Sequence, residues 1–118
     1  MPSLESRSFD NADETRTPDK TRVDIVNIGG NEVGRFTFAP GWRWSECVKP
    51  VVGGESCQVD HIGYVVSGTL HVRHDDGTEA EVGPGEVYRI APGHDGWVVG
   101  DEQFVSVEFQ GVGNYAKS

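Results

Sequence analysis

The sequence predicts an all-β domain, a sandwich or a barrel of short antiparallel strands. Three observations carry this expectation. Short runs alternate between apolar and polar residues. Clusters of Gly, Pro, Asn and Asp interrupt those runs at even spacing. Sixteen glycines among 118 residues, about twice the average share, require many tight turns. No window of helical length carries a helical period.

Taken in order, residues 1–21 read as an arm with almost nothing to bury, either flexible or a strand that pairs with another subunit. The barrel domain spans residues 22–112, and residues 113–118 form a short tail. Val23-Asp24-Ile25-Val26-Asn27-Ile28 reads as a strand ended by Gly29-Gly30-Asn31. Glu32 to Phe38 alternates as far as Ala39-Pro40-Gly41. Gln58 to Val66 is rich in β-branched and aromatic residues and stops at Ser67-Gly68. Thr69 to His74 meets Asp75-Asp76-Gly77, a hairpin turn, and the chain returns through Thr78 to Val82. Gly83-Pro84-Gly85 leads into Val87 to Ile90, Ala91-Pro92-Gly93 into Trp97-Val98-Val99, and the last strand is Gln103 to Phe109.

Composition removes several function classes. The formal net charge of -9 repels polyanions, so neither nucleic acid nor an anionic membrane is an expected partner. The mean hydropathy of -0.45 and the lack of a long apolar run exclude a membrane-spanning helix. The first residues carry no apolar signal core, so a cytoplasmic location is expected, with Cys47 and Cys57 as reduced thiols. These cysteines lie too close together, with no tryptophan between them, for an immunoglobulin-type sandwich. A Ser/His/Asp order, a phosphate-binding loop and a dinucleotide fingerprint are all missing.

Two stretches resemble the motifs of the cupin superfamily, small barrels of jelly-roll topology, also called double-stranded β-helices. His61 to Gly68, HIGYVVSG, is similar to the end of the first cupin motif, with Gly68 in its terminal glycine slot. GEVYRIAPGHDGWVVG, from Gly85, follows the second motif in register, with Gly93 in its inner glycine slot. The linker TLHVRHDDGTEAEVGP has the corresponding length and hairpin character, and the resemblance spans residues 36–109. The ligand slots depart from the pattern. The glutamate slot of the first motif holds His61, and its two histidine slots hold Glu55 and Cys57. In the second motif Gly96 fills the histidine slot with His94 two residues earlier. Gly100 stands in the asparagine slot, and Ala91, beside Pro92, in the proline slot. The resemblance implies a cupin-like jelly-roll barrel, a homodimer, and a pocket for a small organic molecule.

Strand alternation puts Glu55, Cys57 and His61 on one face if no bulge intervenes, and His94 could reach the same interior from the opposite strand. Cys57, His61 and His94 are therefore the candidate metal ligands. Thiolate plus imidazole suits zinc best, with iron or nickel as alternatives and a metal-free barrel as the other outcome. Glu46 and Glu55 are candidates for a fourth ligand or a general base. Taken singly, each of these residues is also explained as core or turn structure. The loop after Gly41 packs Trp42, Arg43, Trp44, Glu46, Cys47 and Lys49 together. Its tryptophans would wall a pocket, and Arg43 or Lys49 would hold a ligand carboxylate. Cys47 could replace Cys57, and Tyr64 and Trp97 would line the pocket or fill the core. His71 and His74 flank a hairpin tip and read as a surface pair. Three functions remain open: a metal-dependent enzyme of oxygenase, isomerase or lyase type, a non-catalytic small-ligand sensor, and a structural partner protein whose tail or acidic surface docks on something else.

Overall fold

A computed structural model describes residues 3–117. The expected all-β architecture is present, with nine strands among the described residues. They are β1 (Glu14–Arg16), β2 (Thr21–Ile28), β3 (Asn31–Phe38), β4 (His61–Ser67), β5 (Leu70–His74), β6 (Glu79–Val82), β7 (Val87–Ile90), β8 (His94–Val98) and β9 (Phe104–Gln110). They form a six-stranded sheet of order β1-β2-β3-β9-β4-β7 and a three-stranded sheet of order β6-β5-β8. The two sheets face each other across one core. No helix among the described residues is long and apolar enough to cross a membrane.

Alternation decides which side chains enter that core. Val23 and Ile25 of β2, Phe36 and Phe38 of β3, Val65 of β4 and Phe104 of β9 face inward and are buried. Leu70 and Val72 of β5 close the core from the smaller sheet. Burying side chains of this size stabilises the fold by roughly 1.5–3 kcal/mol each. The Phe38 and Trp42 rings stack with centroids 3.8 Å apart, and Trp42 Nε1 donates to Thr21 Oγ1 at 2.8 Å. Gly68, the motif glycine, turns the chain from β4 into β5 at φ +80°; a Cβ there would collide with the backbone of Gln103 and Phe104.

Three local features differ from the sequence reading. Within residues 1–21 a short strand, β1, pairs antiparallel with β2 of the same chain and covers Asp24, whose carboxylate takes Arg22 Nε, Arg35 Nη2 and Thr15 Oγ1. Arg16 reaches from β1 to the backbone oxygens of Gly113 (3.0 Å) and Tyr115 (2.6 Å), which ties the two chain ends together. The loop after Gly41 coils into two single-turn helices, α1 (Trp44–Cys47) and α2 (Lys49–Val52), too short to leave a periodic signal. Finally, β4 begins at His61, later than Gln58, and β8 begins at His94, earlier than Trp97. The ends of those strands are where the candidate site lies.

Candidate metal centre

The site is assembled where β4, β8 and the segment before β4 meet. Cys57 lies outside any strand, but an isolated antiparallel bridge fixes it opposite His94. Its N–H donates to the His94 carbonyl and its own carbonyl accepts from the Gly93 N–H, both at 2.7 Å. His61 is the first inward residue of β4 and His94 the first of β8. One ligand atom from each of Cys57, His61 and His94 lies within 4.8 Å of the others, and all three residues are buried.

Each histidine has one nitrogen already committed. His61 Nδ1 donates to Glu108 Oε1 at 2.6 Å, and His94 Nδ1 donates to the Ala91 carbonyl at 2.7 Å. These contacts commit each Nδ1 and leave Nε2 as the nitrogen available to a metal, as in protein metal sites whose imidazoles are held from behind. His61 Nε2 lies 3.7 Å from Cys57 Sγ. Tyr88, whose hydroxyl donates to Glu108 Oε2, holds the other carboxylate oxygen from β7, close to Ser106 Oγ. Gly63 makes room for this pair, since a Cβ there would sit 2.7 Å from Tyr88 Oη.

Electrostatics favours a cation at this point. Burial pushes the Cys57 thiol up, but hydrogen bonds from His61 and His94 outweigh it and bring the thiol from 9.0 to about 7. Burial likewise acts to lower His61. The Glu108 carboxylate and the Cys57 sulfur prevail and raise it from 6.5 to about 10. A thiolate, a carboxylate and two imidazoles thus hold a proton where a divalent ion would bring more charge. The set fits a metal: one thiolate and two imidazoles suit zinc and, less selectively, iron(II) or nickel. Three protein ligands leave a fourth position for water or a small ligand.

The remaining sequence candidates lie elsewhere. Glu55 does not join Cys57 and His61, because residues 54–56 form a bend and no strand begins before His61, so alternation does not hold between these positions. It is exposed and lines a surface cleft with Arg43, Asp95 and Trp97. Glu46 is exposed on α1. Arg43 pairs with Asp95 at 3.2 Å and lies over the Trp97 ring on the outer face, so neither faces the interior. Lys49 opens α2 and Tyr64 stands on the outer face of β4, both away from the interior. Cys47 is buried yet outside the cluster. Trp42 and Trp44 do line the interior, with Phe36, Phe38, Leu70, Val72, Ile90, Phe104 and Tyr115. That interior holds about 30 Å³ of space, on the order of two water molecules.

Glu108 and Tyr88 were not singled out from the sequence. The signal for Glu108 was there, since Phe104, Ser106 and Glu108 share one parity of β9, so two polar residues occupy core-facing positions.

No family model matches the sequence, and no curated protein matches it at a significant level. Solved structures do match. A structure of unknown function from Rhizobium leguminosarum has a TM-score of 0.64 at 22% identity, over 92% of this chain and 97% of that one. A Klebsiella pneumoniae protein with a double-stranded β-helix domain has a TM-score of 0.59 at 17% identity, over 96% and 88%. A cupin domain from Bordetella pertussis has a TM-score of 0.54 at 18% identity, over 80% and 96%. The chain therefore has the cupin fold, as the two motif stretches implied.

Proposed function

We propose that this protein is a metal-binding cupin in which Cys57, His61 and His94 hold one divalent ion, with zinc the ion the donor set suits best. The observation that carries the reading is the convergence of the three donors with both Nδ1 atoms already satisfied. In the enzyme form of the reading, the ion supplies Lewis-acid polarisation of a small molecule at its free position. The chain's own residues do the rest. Glu108 keeps a proton on His61 Nδ1, Tyr88 steadies Glu108, and the aromatic wall of Phe36, Trp44 and Tyr115 excludes bulk water. Glu108, in place of Glu46 and Glu55, is the carboxylate that lines the interior, and both its oxygens are already bonded, to His61 and Tyr88. A thiolate ligand beside a second free cysteine suits a reducing compartment such as the cytoplasm.

The volume of the interior weighs against chemistry on an organic substrate inside the barrel and so favours a second reading, a non-catalytic, metal-free protein with no ligand site inside the barrel. About 30 Å³ accepts a water but no organic substrate. Metal content of untagged protein separates the two. Near-stoichiometric metal in the wild type, lost in His61→Ala and His94→Ala, is the expected result. A wild type that stays metal-free after incubation with zinc, iron(II) and nickel overturns the metal centre.

A further inference from the structure

The small interior has to be set against a larger space on the other side of Cys57. Between α1–α2 and the C-terminal segment lies a cleft of about 310 Å³, at the lower end of the range for small-molecule sites. Its walls are apolar: Trp44, Val48, Val52, Val59, Tyr115 and Ala116. Trp44 and Tyr115 line both this cleft and the barrel interior, so they form the partition between the two spaces. Cys57 lines the cleft, whereas His61 and His94 line the interior. The three donors therefore straddle that partition.

We propose that this cleft is the organic-ligand site, and that its ligand is a compact apolar or aromatic body carrying one carboxylate. The proposal rests on the metal-centre reading only in treating the Cys57 wall as the route to the ion; the cleft and its chemistry stand without it. Three features select the ligand. The apolar walls match a body of aromatic size. Lys117 is the charged side chain lining the cleft, and it gives an anionic end its counter-charge. Asn114 also lines it and can bond the second carboxylate oxygen, whereas the Gln58 amide nitrogen is already bonded to Ser56 Oγ. Glu14, whose carboxyl Lys117 also helps hold in its charged form, is already bonded to Arg16 Nε. Because the whole chain carries -9, one lysine must offset a repulsive field, so the affinity for a simple carboxylate is modest. This assignment moves the carboxylate-binding role from Arg43 and Lys49 to Lys117.

The test uses phenylacetate as probe and its neutral amide as control, followed by methyl and amide NMR on the full chain. Metal content is measured on the same samples. With millimolar phenylacetate, shifts are expected at Val52, Val59, Ala116 and Cys57, with Leu70 and Val72 unmoved. The amide should bind more weakly. Val52→Trp fills the cleft from an exposed position and should abolish the shifts, and Lys117→Glu should weaken them about tenfold. Shifts centred on Leu70 and Val72, full binding in Val52→Trp, or no binding at all overturns the proposal. A sample that stays metal-free after incubation with zinc, iron(II) and nickel and still binds phenylacetate in the cleft overturns the metal centre and leaves the cleft standing. A metal-loaded sample that does not bind it does the reverse.

Discussion

Two histidine–glutamate contacts in this molecule have nearly the same length and opposite surroundings. His61 meets Glu108 at 2.6 Å inside the barrel, with both side chains 5% exposed. His71 meets Glu79 at 2.8 Å and Glu81 at 3.2 Å on the outer face of the smaller sheet, where Glu79 is 46% exposed and Glu81 53%. In both places the carboxylates raise the histidine's pKa. At the surface, solvent screens the attraction and either partner can turn to water. Inside, neither partner has an alternative. A carboxylate that loses its histidine is left dry and unpaired, and removing the carboxylate takes a partner from both His61 and Tyr88. What separates a site from a surface ion pair is thus the dielectric around the residues more than the residues themselves.

The largest expected effect comes from breaking the inner contact. Glu108→Ala should destabilise the metal-free protein by about 3–5 kcal/mol in urea unfolding, because His61 and Tyr88 are left buried without their partner. A loss no larger than that of Glu79→Ala would erase the distinction between the two contacts. Next, Glu108→Gln should weaken zinc binding by about 10–100-fold in a chelator competition, through loss of the group that orients His61. Glu81→Gln should leave zinc binding unchanged.

A third, smaller effect is the pH response of Cys57. The thiolate absorbance of metal-free protein should titrate near pH 7, below the ordinary 9.0. A pKa depressed in the fold means that the thiolate contributes stability present above pH 9 and lost as pH falls through 7. Protons compete for the sulfur, so zinc affinity should decline in the same direction. His61→Ala should move the midpoint upward, and an unmoved midpoint would remove His61 from the cluster. The smallest effect is at the surface. Glu79→Ala should change stability by no more than about 1 kcal/mol, while NMR records a fall in the His71 pKa.

The same contrast explains what the sequence could and could not reveal. Strands and turns are local, so β2, β3 and the β5–β6 hairpin were legible from alternation and from Asp75-Asp76-Gly77. Cys57, His61 and His94 were found through their places around Gly68 and Gly93, two glycines that mark the motif turns. Tyr64 and Trp97 were misplaced although parity argued against them: each lies three residues from its motif histidine, which on a strand means the opposite face. Glu55 was lost because its segment is no strand. Glu108 lies 47 residues from His61, and only the register of β9 against β4 brings them together, which no local pattern encodes.

That register has a consequence for how the chain is made. β9 (Phe104–Gln110) lies between β3 and β4, so the strand synthesised last of the nine is in the middle of the larger sheet. On the ribosome, β2 and β3 can pair soon after Phe38 emerges, and β4 can pair with β7 later. The two halves cannot join until Gln110 has been added, on the order of ten seconds after Phe38 at ordinary translation rates. Through that interval β3, and β4 once Ser67 has been added, present an open hydrogen-bonding edge to whatever is nearby. The nascent chain is thus most open to wrong partners while the strand that will occupy both edges has yet to be made.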